Sequence, residues 1–141
     1  MKLCDDSLED LNDKKQNKNE HFSVDEIYNI LIQLNNSFKI MVEKNIVHRD
    51  HSLGNILIKY NIKEETKYTV KLSDYGISKQ LTNKILKTTK QKSGKMAPEI
   101  IEVGKFSLES DLWSLGIVIY ILYFNKNPYS GQTTDSIIKQ N

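Results

Sequence analysis

The sequence predicts an α+β fold that is mostly helical and carries one small β-hairpin. Three observations predict it: a capped apolar stripe from Ser23 to about Asn45, two β-prone runs at Asn55 to Lys59 and Tyr68 to Leu72, and an almost uniformly apolar run from Leu112 to Phe124.

The first helix signal is Ser23-Val24-Asp25-Glu26, a capping box in which the Ser hydroxyl is placed for the N3 amide and Glu26 reaches back. Ile27, Ile30, Leu31, Leu34, Phe38, Met41 and Val42 then recur at three and four residues, so one face of a long helix is apolar. The β-prone runs are separated by the polar stretch Tyr60 to Lys67, which predicts a hairpin with a long loop. Two strands alone are marginally stable, so the hairpin must pack on the helices. Leu81 to Lys95 is polar and aperiodic, and the six lysines from Lys79 to Lys95 point to an exposed loop. A helix is expected to start near Ser110 or Asp111 and to end at Asn127-Pro128; its all-round apolar character fits a helix surrounded by protein. Thr133 to Gln140 reads as the start of one more helix.

With 141 residues the chain has the length of one domain. Its 20 Lys+Arg and 18 Asp+Glu give a net charge of +2, which offers no argument for a nucleic-acid or membrane partner. Leu112 to Phe124 would span only about 20 Å as a helix, short of the ~30 Å hydrocarbon layer. The acidic start, with Asp5, Asp6, Glu9 and Asp10, lacks the pattern of a secretory signal. Cys4 is the sole cysteine, which excludes an intramolecular disulfide and suits a cytoplasmic setting, with a nuclear one also open. Arg49 is the sole arginine in a Lys-rich chain.

Four short motifs follow in order: His48-Arg49-Asp50 with Asn55, Asp74-Tyr75-Gly76, Ala97-Pro98-Glu99, and Asp111-Leu112-Trp113-Ser114-Leu115-Gly116. Each is weak alone, but the set in this order and spacing resembles the eukaryotic-type protein kinase family, serine/threonine-like. The resemblance covers nearly the whole chain. It implies that residues 1–141 form part of a kinase domain, a kinase-like C-terminal lobe running from the hinge to the start of the helix after the central buried one. Nothing corresponds to the Gly-rich loop, the ATP-positioning Lys or its helix Glu, so the N-terminal lobe of the parent chain is expected to be absent here and to act as a partner.

The resemblance further implies ATP and Mg²⁺ as cofactors and a protein substrate. Phosphoryl transfer needs a carboxylate to accept the acceptor hydroxyl's proton and hard oxygen ligands for the metal. By the match, Asp50 is the catalytic base, and Asn55 and Asp74 are the metal ligands. Met1 to Cys4 looks like the hinge strand, so Lys2 and Cys4 fall at the adenine, with Leu57 lying under the base. His48 reads as a packed, structural histidine, and Tyr75 stands where the family usually has Phe. Arg49 would grip a phosphate carried by the loop between the second and third motifs, with Thr88 and Thr89 as the sites and Ser93 behind them.

The chain also departs from the pattern. Ser52 stands where serine/threonine kinases usually carry a Lys that stabilises the transferring group, and the docking-loop Thr and Tyr are replaced around Lys92, Ser93 and Lys95. These departures favour an alternative, a pseudokinase or regulatory binding fragment without activity. A third reading, a small-molecule kinase of the aminoglycoside or choline type, shares His48-x-Asp50-x-x-x-Gly54-Asn55 but has no use for Ala97-Pro98-Glu99 or the Trp113 helix.

Overall fold

The computed structural model describes residues 4–61, 68–75, 78–80 and 96–129. Its elements are β1 (Asp6–Ser7), α1 (Leu8–Gln16), α2 (Val24–Glu43), β2 (Ile46–Val47), a 3₁₀ turn (Leu53–Asn55), β3 (Ile56–Tyr60), β4 (Tyr68–Leu72), β5 (Lys79–Gln80), α3 (Pro98–Val103) and α4 (Leu108–Phe124). The α+β, mostly helical reading and the hairpin hold. The loop at Leu81 to Lys95 and the helix expected at Thr133 to Gln140 lie outside the described residues.

Helix α2 starts at the expected box: the Ser23 hydroxyl accepts from the Glu26 amide at 3.1 Å, and the Glu26 carboxylate accepts from the Ser23 amide at 2.8 Å. Strands β3 and β4 pair antiparallel, Ile56 opposite Leu72 and Tyr60 opposite Tyr68. The sheet has a third strand that the sequence reading missed: β1 pairs with β3, Asp6 opposite Ile58 and Ser7 opposite Leu57. Its order is β1-β3-β4, which makes β4 an edge. That edge is covered by a side chain of α2, since Gln33 Oε1 accepts from the Val70 amide at 2.8 Å and its Nε2 donates to Tyr68 O at 3.4 Å. The amide thus stands in for a neighbouring strand on backbone groups that would otherwise be unpaired.

The last helix differs from expectation at both ends. Ser107 caps α4, its hydroxyl accepting from the Ser110 amide at 3.3 Å, so Leu108 and not Ser110 is the first helical residue. The helix stops at Phe124 because Asn125 turns left-handed at φ 53°, before Asn127-Pro128 is reached. Nor is α4 covered all round: Ile117, Val118 and Leu122 are buried, whereas Leu112, Tyr123 and Phe124 are about half exposed.

Two apolar clusters result. The larger joins Leu8 of α1, Ile27, Ile30, Leu34 and Met41 of α2, Ile56, Ile58, Val70 and Leu72 of the sheet, and Val118 and Leu122 of α4. The smaller joins Val47 of β2 with Ala97, Ile100 and Phe106 around α3. Each fully buried side chain of this kind is worth about 1.5–3 kcal/mol, so both clusters hold their backbone firmly. Residues 48–52 bridge them, leaving the small cluster at Val47 and entering the large one at Leu53.

Candidate functional site

The segment between those two anchors carries His48, Arg49 and Asp50, and α4 holds it from below. The Asp111 carboxylate, 1% exposed, accepts from the His48 amide at 2.7 Å and the Arg49 amide at 2.8 Å. Two charge-assisted bonds to consecutive amides fix both position and orientation of this backbone. They also hold Arg49 at φ 72°, a left-handed conformation that costs a non-glycine residue roughly 1–3 kcal/mol.

Asp50 is fixed next. The Asn55 amide nitrogen donates to Asp50 O and to Asp50 Oδ2, both at 2.9 Å. One nitrogen therefore ties a carboxylate oxygen and closes the loop, and with the nitrogen so committed the Asn55 carbonyl oxygen faces the other way. The backbone of Asn55 reaches the edge of the second motif: Asn55 O accepts from the Ser73 amide at 2.8 Å and from the Ser73 hydroxyl at 3.0 Å. Asp74, adjacent to the pinned Ser73, is exposed and also left-handed, at φ 58°. Asp50, Asn55 and Asp74 are thus brought to one place by bonds that run through Asn55.

Rings support this junction from inside. His48 is fully buried, and its Nε2 lies 2.8 Å from Ser73 O; because a carbonyl only accepts, Nε2 carries the proton. Nδ1 is then unprotonated and has no hydrogen-bond partner among the described residues. Burial, followed by the neighbouring His51, pushes the His48 pKa down, so the neutral ring is the resident form. The expectation of a packed histidine agrees with this geometry. His48 stacks on His51 at 4.6 Å, His51 lies 5.0 Å from Phe38 of α2, and Tyr75 meets His48 edge-on at 4.9 Å.

The Arg49 guanidinium lies over the Phe106 ring at 5.2 Å, a cation–π contact that aims the side chain toward the α3 side of the site. Thr88, Thr89 and Ser93, like Lys2 and Gly76, lie outside the described residues. Cys4 is half-buried and leads toward β1, and just before that strand the Asp5 amide donates to Ile58 O at 2.9 Å. This brings the Cys4 end alongside the strand that carries Leu57, whose neighbours Ile56 and Ile58 are buried on the opposite face of β3.

The donor set at the junction suits a hard cation. Asp50, Asn55 and Asp74 offer carboxylate and amide oxygens, the ligands Mg²⁺ takes, and so few protein ligands leave coordination positions for phosphate and water. Among the described residues no group of three His, Cys, Asp or Glu side chains could hold a metal by itself.

Two positioning features escaped the sequence reading. Asp111 was visible only as part of a motif, and its role as the acceptor for a loop some sixty residues upstream depends on tertiary packing. The Ser7-x-x-Asp10 box that opens α1 went unread although its signal is local: the Ser7 hydroxyl accepts from the Asp10 amide at 3.1 Å, much as at Ser23.

Residues 1–141 match the model of the protein kinase domain family. Among curated proteins, the chain is 30% identical to serine/threonine-protein kinase 33 of Bos taurus over 146 residues, covering 99% of this chain and 29% of that protein. It is 34% identical over 126 residues to serine/threonine-protein kinase nekl-2 of Caenorhabditis elegans, covering 89% of this chain and 34% of that protein. It is also 34% identical over 118 residues to tyrosine-protein kinase ZAP-70 of Homo sapiens, covering 79% of this chain and 18% of that protein. The chain therefore spans about a third or less of the length of these relatives.

Proposed function

The chain belongs to the protein kinase family, and from that membership we propose that it supplies the catalytic base and the metal ligands for ATP-dependent phosphoryl transfer to Ser and Thr hydroxyls of a protein substrate. What carries the reading is the pair of hydrogen bonds that the Asn55 amide nitrogen donates to Asp50 together with the tie of Asn55 O to Ser73. It holds a base and two oxygen ligands at fixed separation, and positioning is most of what phosphoryl transfer asks of a protein.

In this reading Asp50 Oδ1 accepts the proton of the acceptor hydroxyl while Oδ2 stays bonded to Asn55. Asn55 and Asp74 would hold Mg²⁺, which when bound neutralises charge on the phosphates. Asp111 keeps the loop in place during turnover. Cys4 and Leu57 line the adenine side, and residues 1–141 make up part of a kinase domain. Arg49, resting on Phe106, is the anchor for a phosphate on Thr88 or Thr89.

The experiment is transfer of labelled phosphate from Mg-ATP to a mixed Ser/Thr and Tyr peptide library by the full-length protein, alongside Asp50→Asn and Asp74→Asn. Transfer confined to Ser and Thr, and lost by about 10²-fold or more in both variants, is expected. Transfer to Tyr alone would refute the substrate class. Ser52 favours a second reading, an inactive regulatory kinase, because no cation stands two residues after the base; binding of nucleotide with no transfer by the full-length protein would establish it.

A further inference from the structure

Two adjacent carboxylates, Asp5 and Asp6, grip the far end of β3. Asp5 Oδ1 accepts from the Lys59 ammonium at 2.8 Å, and Asp5 Oδ2 accepts from the Tyr60 backbone amide at 2.9 Å. Asp6 Oδ2 accepts from the Tyr60 hydroxyl at 2.6 Å and also takes the ammonium of Lys14 on α1. Tyr60 is thus bonded twice, by its amide to one carboxylate and by its hydroxyl to the next. Register explains how two neighbouring residues can do this. Asp6 stands opposite Ile58 in the antiparallel pair, so it shares the face of β3 that carries Ile58 and Tyr60, and the Tyr60 ring reaches it along the diagonal. Asp5 falls on the other face, with Lys59 and Leu57. The grip therefore closes on both faces of the strand.

The members of this grip are unequal. Lys59 and Asp5 have side chains 45% and 38% exposed, and an ion pair so open to water contributes little. The Asp6 side chain is only 16% exposed, and its 2.6 Å bond from the Tyr60 hydroxyl has the length of a charge-assisted O–H···O⁻ contact. Burial and then this bond push the Tyr60 phenol up to about 12, so the hydroxyl stays a donor. Strand β1 is two residues long, and so short a ladder frays readily unless side chains hold it. The Asp5 amide, bonded to Ile58 O at 2.9 Å, sits at that fraying end, one residue after Cys4.

We propose that Asp6 and Tyr60 form a clasp that sets how the Cys4 segment stands against β3, which makes both of them positioning residues for the adenine side of the nucleotide site. The proposal deepens the phosphoryl-transfer reading and rests on its assignment of Cys4 and Leu57 to that side. The clasp acts through the β1–β3 pairing, which sets Ser7 opposite Leu57, and not on the nucleotide directly.

The test uses the full-length protein with Tyr60→Phe, which keeps the ring and removes the hydroxyl, Asp6→Asn, which keeps the shape and removes the charge, and the double variant. In the nucleotide-free protein, amide exchange at Asp5 is expected to accelerate about three- to tenfold in each single variant, the lower end for a hydrogen bond to a charged group because the site is partly open to water. The double variant should be no faster than Asp6→Asn alone, because both substitutions break the same bond. Calorimetric titration with adenosine, which probes the adenine side without phosphate or metal, should show affinity weakened about two- to fivefold in the same variants. Gln33→Ala, which loosens the opposite edge of the same sheet, should leave adenosine affinity unchanged. Unaltered Asp5 exchange in both single variants, or effects that add in the double one, overturn the clasp. Accelerated exchange with unchanged adenosine affinity, or equal weakening in Gln33→Ala, overturns its positioning role. A Leu57→Ala control separates the two levels: if that variant binds adenosine as the parent does, or the parent binds none, the adenine-side reading fails and the positioning role falls with it, while the exchange data still judge the clasp.

Discussion

Asp111→Asn tests the anchor on which the site depends. The substitution keeps shape and one acceptor oxygen but removes the charge and turns an NH₂ group toward one of two donors, the His48 amide at 2.7 Å or the Arg49 amide at 2.8 Å. Hydrogen bonds to charged groups contribute about 1.5–3 kcal/mol each, and a buried donor left unpaired costs about 1–3 kcal/mol. His51 Nε2, 3.7 Å from Asp111 Oδ1, is too far to take over as a hydrogen-bond partner. One bond weakened and one lost therefore amount to about 2–4 kcal/mol, a large part of the ~5–15 kcal/mol that holds a domain together. The strain at Arg49, φ 72°, adds to the tendency of the loop to open once its amide is released. Amide exchange reads the effect directly, because the two affected amides are known. Protection of His48 and Arg49 should fall about 30- to 700-fold in the full-length protein, taking ~1.4 kcal/mol per decade. Phosphoryl transfer should fall with it, since Asp50 follows on the same backbone. Protection of both amides within about twofold of the parent protein would refute the claim that Asp111 holds the loop.

Other expectations follow from the same geometry. His48 is held neutral with its pKa below the ordinary 6.5, so its contribution to stability is fully present above about pH 6.5 and is lost as pH falls through the lower folded-state value. Urea titrations between pH 7.5 and 5 should show that loss, and His48→Phe should remove its pH dependence in this window; an identical slope in the variant would assign the effect elsewhere. Gln33→Ala should destabilise by about 1–3 kcal/mol, since the Val70 amide and Tyr68 carbonyl lose the partner that covers the sheet edge, and a change in the urea midpoint too small to resolve would show that water replaces the side chain fully. Ser107→Ala removes the cap of α4 and should lower stability by about 1 kcal/mol, with Ser107→Asp restoring it in the same thermal melt.

The parts of the fold legible in the sequence are those whose signal is local. Ser23 and Glu26 bond each other across three residues, and the α2 stripe repeats within one helix, so both read directly from spacing. The hairpin was legible because β3 and β4 are adjacent in the chain and rich in β-branched residues. Strand β1 was not, because two residues carry no periodicity and Asp6 pairs with Ile58, which is distant in sequence. The start of α4 was misjudged by two residues because Ser107 and Ser110 both suit a cap, and only the observed bond, Ser107 Oγ to the Ser110 amide, chooses between them. Its end was misjudged because Pro128 is the louder signal, while Asn125 is one of the few non-glycine residues that enter the left-handed region readily.

The candidate site divides along the same line. Asp50, Asn55 and Asp74 were singled out as residue types at a spacing, yet what makes them a site is a set of bonds between segments: Asn55 to Asp50, Asn55 O to Ser73, His48 to Ser73, and Asp111 to His48 and Arg49. The two residues in left-handed conformation within these segments, Arg49 and Asp74, each sit beside one of the bonds' end points. Strain of that kind survives only where the surroundings outweigh it. It is offset here by a buried carboxylate on one side and, on the other, by a serine hydrogen-bonded through its amide, hydroxyl and carbonyl. A sequence motif preserves the residue types that can make such bonds, whereas the bonds themselves come from α2 and α4 being packed on the sheet by Leu34, Met41, Val118 and Leu122. Weakening that packing should therefore loosen Asp50 and Asp74 together even when every motif residue is intact. Val118→Ala, which deletes buried methyl groups in the shared cluster, should speed exchange at both the Arg49 and Ser78 amides, and acceleration of one without the other would show that the two halves of the site are held independently.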